Sequence, residues 1–193
     1  MTKEAPPRPP ARRTLDALMP GEPGREATIA RMIRVDQAGE YGAARIYAGQ
    51  LAVLGRTRAA PALRRMAEQE QRHLDEFNRL MAERRVRPTL LQPVWHVAGF
   101  ALGAATAMLG EKAAMACTVA IEETIDAHYR RQAERLGDEE PQLRETIEEF
   151  REDELEHRSV ALAHGAREAP GYAPLTFAIK NASRLAIWLS ERF

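Results

Sequence analysis

Cysteine is almost missing from this chain. The single Cys117 in 193 residues excludes an internal disulfide framework and a cysteine-rich metal site, and its neighbours Ala116, Thr118 and Val119 mark it as a small core residue. An excess of either charge is missing too, since 28 basic residues balance 28 acidic ones. No net field therefore draws the protein to nucleic acid. No Gly-x-Gly-x-x-Gly joins a strand to a helix, so no dinucleotide fingerprint is visible. Residues 1–26 lack helical periodicity and carry six of the twelve prolines together with several arginines. That composition predicts a disordered tail. The tail has no apolar stretch of the secretory kind, and Glu4, Asp16 and Glu22 fit a transit peptide poorly. Residues 27–193 are then expected to form one compact domain, a size at which a single core can be buried.

What the chain does have is a pattern written twice. Glu40 is followed thirty residues later by Glu70-Gln-Arg-His73, and Glu122 thirty-two residues later by Glu154-Leu-Glu-His157. One Glu from each of two helices, and Glu-x-x-His from each of the other two, form the ligand set of a carboxylate dimetal site in a four-helix bundle. Each of these residues falls on an apolar stripe of helical period. The stripes run Ile29, Ile33, Glu40, Ala43, Tyr47, Leu51, Leu54; Leu63, Met66, Glu70, His73, Leu74, Phe77, Leu80; Met115, Val119, Glu122, Ile125, Tyr129, Leu136; and Leu143, Ile147, Phe150, Glu154, His157, Ala161.

With 22 glutamates in the chain, solvated helix faces are the competing explanation. Only five histidines exist, however, and two of them share this context on otherwise apolar stripes. Four converging carboxylates repel one another unless they are protonated or bound to cations, and two divalent metals resolve that conflict. Glu and His donors favour iron or manganese over zinc–thiolate chemistry. Tyr47 and Tyr129 each lie seven residues after a lone glutamate, which suggests a duplicated helical hairpin; core packing is the default role for both.

The expected fold is all-α, a ferritin-like four-helix bundle with a long crossover and additional apolar helices. Proline at position 61 suits a helix first turn, Pro88 marks the end of the second helix, Gly137 and Pro141 separate the third from the fourth, and Pro170, Gly171 and Pro174 precede a last helix. Between the hairpins, residues 88–110 form an uncharged run of 23 residues, long enough to cross a bilayer. A single crossing would separate two hairpins that must share one site, and the run contains Gln92, Pro93 and His96. It is therefore expected to be the crossover. The last helix carries Leu175, Ile179, Ala182, Leu185, Ala186, Leu189 and Phe193 on one face, with Lys180, Arg184 and Arg192 available for anionic headgroups. Membrane attachment and packing on the bundle or on a partner subunit explain that face equally well.

Glycines 39, 42 and 49 interrupt the first helix at about 1 kcal/mol each relative to alanine. Close helix packing, or room beside the metals for a flat ring, would account for them. Asp36 and His128 are candidates for orienting ligands or relaying protons, and Tyr129 for bordering the site.

The strings RVDQAGEYGAARIYAGQLAVLGRT, RVRPTLLQPVWHVAGFALGAATAMLG, AMACTVAIEETIDAHY and DELEH resemble the demethoxyubiquinone hydroxylase family of ubiquinone biosynthesis over nearly everything after residue 27. The resemblance implies a monooxygenase that hydroxylates the ring of a demethoxyubiquinol. Its two irons, Fe2+ when reduced, would be bound by Glu40, Glu70, His73, Glu122, Glu154 and His157. Dioxygen would be the cosubstrate, with NADH or the quinol itself as reductant. It further implies a lipophilic quinol substrate, a membrane surface, and a lipid-binding partner of the same pathway; a homo-oligomer is compatible. The location implied is the cytoplasmic face of a bacterial cell membrane, or the matrix side of the inner mitochondrial membrane in a eukaryote. Members of that family usually carry His where this chain has Gln37. A ferritin-like ferroxidase or iron-binding protein is the competing class.

Overall fold

The computed structural model describes residues 23–193, so the expected disordered tail lies outside the described residues except for its last four. Six α-helices follow one another: α1 (Arg25–Leu54), α2 (Ala60–Glu83), α3 (Gln92–Met108), α4 (Glu111–Leu136), α5 (Pro141–Ala163) and α6 (Tyr172–Ser190), with a 3-10 turn at Ala166–Glu168. No strand occurs among the described residues. Helices α1, α2, α4 and α5 form the bundle. Pro61 and Pro141 open α2 and α5 in the first turn, where a missing N–H costs nothing. The first helix begins at Arg25, two residues before the expected domain boundary.

The second helix stops earlier than Pro88 requires. Arg85 takes a left-handed φ of 54°, and the N–H groups of Arg85 and Val86 turn back to the carbonyls of Ala82 and Met81 at 3.4 and 2.9 Å. This is a Schellman closure, with Val86 packed on the apolar cluster that contains Met81. An arginine holds the position usually taken by glycine, so no glycine marks the end of the helix.

Two apolar clusters fill the bundle. One gathers Tyr47, Leu54, Leu63, Met66, Met115 and Val119; the other gathers Ile29, Ile33, Phe77, Leu80, Leu136, Leu143 and Ile147. Glu40, Glu70, Glu122 and Glu154 lie between these groups in each helix, so the polar residues form one layer at mid-height of the bundle.

Helix α3 is the crossover and packs lengthwise on α1. A Cβ on Gly103 would sit 2.0 Å from the Ile46 carbonyl oxygen, one on Gly49 2.2 Å from that of Phe100, and one on Gly99 2.9 Å from that of Gly42. Close packing therefore explains Gly49, whereas a Cβ on Gly39 or Gly42 would meet nothing within 4 Å. Helix α6 lies on α4 and α1. Its expected apolar face is divided: Ile179 is buried with Leu175 against it, while Leu185 and Phe193 are exposed along with Phe177 and Trp188. Lys180 pairs with Glu123 and is thus engaged within the protein. No helix of the described residues is long and apolar enough to cross a membrane.

Candidate metal centre

The six expected residues meet. Glu40, Glu70, His73 and Glu154 offer donor atoms within 4.8 Å of one another, and so do Glu70, Glu122, Glu154 and His157. Each group contains residues of both hairpins, and the two share Glu70 and Glu154. All six residues are buried, none more than 1 % exposed. Helical geometry explains the convergence: residues i and i+3 share a face, so Glu70 and His73 of α2, and Glu154 and His157 of α5, point into the same layer.

Eight atoms of this layer have no hydrogen-bond partner: both oxygens of Glu70 and of Glu154, one oxygen each of Glu40 and Glu122, and Nδ1 of His73 and of His157. A folded protein rarely leaves buried polar atoms unpaired, because each costs its full desolvation. Here they face one another. His73 Nδ1 lies 3.4 Å from both Glu40 Oε2 and Glu154 Oε1, and His157 Nδ1 lies 3.2 Å from Glu70 Oε1 and 3.3 Å from Glu154 Oε2. Carboxylate oxygens and neutral imidazole nitrogens converging in this way fit hard or borderline divalent cations such as iron or manganese.

Titration behaviour follows from the same crowding. Burial, then the neighbouring carboxylates, pushes the Glu70 and Glu122 carboxyls well above the usual range. Burial also opposes charge on His73, but the carboxylates of Glu154 and Glu40 overcome it and raise the imidazole to about 11. For Glu154 the two histidines outweigh burial, and its carboxyl is lowered. Without metal, the crowding thus favours protons on Glu70, Glu122 and His73, and bound metal cations would displace them.

Both tyrosines do more than pack. Tyr47 donates to Glu122 Oε1 at 2.8 Å, and Tyr129 donates to Glu40 Oε1. Burial, then the nearby carboxylates, holds both phenols well above their ordinary value, which keeps them protonated and able to donate. Asp36 and His128 stand apart from the ligand groups. His128 Nε2 lies 3.2 Å from Asp36 Oδ1, which also accepts from Gln132 Nε2 at 2.8 Å, and burial raises the Asp36 carboxyl. Gln37 is buried and donates to Asn78 Oδ1 at 3.1 Å, outside both groups.

Two residues that periodicity did not single out complete the layer. His73 Nε2 lies 3.0 Å from Asp153 Oδ2, and His157 Nε2 lies 3.2 Å from Gln69 Oε1. Each immediately precedes a ligand-type glutamate and reaches across to the histidine of the other helix. The duplication carried this signal, because Gln69-Glu70 and Asp153-Glu154 occupy matching positions.

Beside the layer lies an apolar cavity of about 180 Å³. Its walls come from α1, α3, α4 and α6 and include Gly39, Gly42, Trp95, Ile121 and Ala186. Gly39 and Ile121 directly precede Glu40 and Glu122 in sequence. The open space at Gly39 and Gly42 therefore belongs to a chamber against α1 and α4, the helices that carry Glu40 and Glu122.

Known proteins resemble this sequence. The chain is 60% identical to the 3-demethoxyubiquinol 3-hydroxylase of Rhodospirillum rubrum over 182 residues, 94% of this chain and 86% of that protein. It is 55% identical to the human NADPH-dependent 3-demethoxyubiquinone 3-hydroxylase, mitochondrial, over 170 residues, 86% of this chain and 78% of the relative. Identity to the 5-demethoxyubiquinone hydroxylase, mitochondrial, of Saccharomyces cerevisiae is 43% over 183 residues, 86% of this chain and 78% of the relative. Residues 27–190 match the family model described as "Ubiquinone biosynthesis protein COQ7", and the chain belongs to that family.

Proposed function

We propose that this protein is a metal-dependent 3-demethoxyubiquinol 3-hydroxylase of ubiquinone biosynthesis, using two iron ions and dioxygen. The observation that carries this reading is the set of eight buried, partnerless donor atoms divided between two groups that share Glu70 and Glu154. The six residues would hold the two ions, Glu40 and His73 on one side and Glu122 and His157 on the other, with Glu70 and Glu154 common to both groups. When bound, the ion pair supplies electrons and a binding place for dioxygen activation.

The protein's own residues do the rest. Tyr47 and Tyr129 fix the carboxylates of Glu122 and Glu40 by donating to them. The cavity accepts the quinol ring beside α1 and α4 and excludes water through its apolar walls. Asp36 and His128, hydrogen-bonded to each other, would relay protons on the Glu40 side, with Gln132 holding Asp36 by donating to it. The reductant is an external nicotinamide, in keeping with the NADPH-dependent names of the human and mouse relatives, and the quinol is the alternative donor.

Attachment to a membrane surface suits a lipophilic substrate. Leu90, Val97, Met108 and Leu109 in and beside α3, and Phe177, Leu185 and Trp188 of α6, are exposed; α3 and α6 are also two of the four cavity walls. Arg184 and Arg192 accompany them on α6 and just beyond it. Lipid or a lipid-binding partner would cover this surface, and the protein would act at the cytoplasmic or matrix face. Liposome flotation tests it, and a protein that stays in the soluble fraction argues against it.

The deciding experiment supplies ferrous protein with a reduced demethoxyubiquinone analogue, excess reductant and labelled dioxygen. Mass spectrometry should find product with one labelled oxygen, and Glu154→Ala should abolish both the product and bound iron. Iron oxidation without product would point to a ferroxidase instead.

A further inference from the structure

Behind each ligand histidine stands a different acceptor. The side of His73 away from the layer meets the Asp153 carboxylate at 3.0 Å, whereas His157 meets the Gln69 amide oxygen at 3.2 Å. In both cases Nδ1 is the atom turned to the glutamates and without a partner, so Nε2 carries the hydrogen that Asp153 or Gln69 accepts. The His73 ring is further fixed by stacking on Phe150 at a centroid distance of 4.0 Å.

An anionic acceptor on the far nitrogen makes an imidazole a stronger donor than a neutral amide does, and it holds the ring and its tautomer more firmly. The remaining donors of the two positions are matched, one private glutamate each and two shared ones. The private glutamates are matched again, each receiving a tyrosine hydroxyl. Apart from the Phe150 stacking on His73, the difference between Asp153 and Gln69 is what distinguishes the two positions.

We propose that Asp153 and Gln69 are positioning residues that make the two metal positions unequal, with the His73 position binding the tighter ion. This rests on the dimetal reading above. The Asp153 side chain is 29% exposed and Gln69 is half-buried, so either can be changed without opening the core.

The test is a titration of metal-free full-length protein with Co2+, followed by its visible absorption, against a competing chelator. The wild type should show two ions with distinct affinities. Asp153→Asn should weaken the tighter one by about ten- to a hundredfold and leave the other nearly unchanged. Gln69→Glu should tighten the weaker one and narrow the gap, a gain that a damaged fold cannot mimic. Two equal affinities in the wild type, equal weakening of both ions by Asp153→Asn, or a gap unmoved by Gln69→Glu would overturn the proposal and leave the dimetal reading intact. Failure to bind any Co2+ would overturn that reading, and the proposal with it.

Discussion

Tyr47 of α1 donates its hydroxyl across the bundle to Glu122 of α4 at 2.8 Å. Tyr129 of α4 returns the bond to Glu40 of α1, so the tyrosine of each hairpin holds the lone glutamate of the other. Tyr47→Phe removes a buried donor to a carboxylate and should lower stability by about 1.5–3 kcal/mol. Urea unfolding measures this, and an unchanged midpoint would show that the bond contributes nothing net.

Stability of the metal-free protein should fall as pH rises. Glu70 and Glu122 are shifted above the ordinary carboxyl value of 4.5, and His73 from 6.5 to about 11. All three bind protons more tightly folded than unfolded, so the folded state holds the extra protons and the slope with pH is negative. For His73 this stabilisation is complete below 6.5 and is lost toward about 11. Glu154 is shifted downward, so its contribution is in place above 4.5 and is lost only in acid. Melting in chelator should thus give a lower Tm at about pH 9 than at about pH 7, with divalent metal restoring more at the higher pH. A flat or rising Tm without metal contradicts this.

The glycines of α1 and α3 should separate into two classes. Gly103→Ala places a methyl group 2.0 Å from the Ile46 carbonyl oxygen and should cost about 1–3 kcal/mol through overpacking. Gly42→Ala meets nothing within 4 Å and should gain up to about 1 kcal/mol in helix propensity. Because Gly42 lines the cavity, the same change should raise KM for the quinol. Thermal melts and steady-state kinetics on the two variants check the contrast, and a loss of stability in Gly42→Ala would refute it.

Arg85→Gly should stabilise the protein. The left-handed φ of 54° costs a side-chain-bearing residue about 1–2 kcal/mol, partly offset by the greater freedom of glycine in the unfolded chain. A net gain of about 0.5–1 kcal/mol is expected from those two opposing effects. A lower Tm would mean that the Arg85 side chain contributes more than its backbone costs.

The bundle and the six converging residues were legible because burial imposes a period of 3.6, and Glu and His at core positions break it visibly. All six are buried. Arg85 hid the end of α2 because its role depends on φ rather than on residue type. Asp153 and Gln69 sit beside the stripes rather than on them, so periodicity passed over them. For α6, period alone joined residues that the neighbouring helices divide, with Ile179 inside and Leu185 outside. Glycines 39 and 49 look alike in sequence, and only the position of α3 distinguishes open space from backbone contact.

A duplicated pair of hairpins would offer both of its broad sides alike, but α3 and α6 cover only the side made by α1 and α4. Glu40 and Glu122 come from the covered side, beside the cavity, while both histidines with Asp153 and Gln69 come from α2 and α5. Helices α1 and α4 thus face both the cavity and the layer, whereas α2 and α5 face the layer alone. On the proposed reading, substitutions in α3 and α6 would act on the cavity, and substitutions at Gln69 of α2 or Asp153 of α5 on the histidine side of the layer.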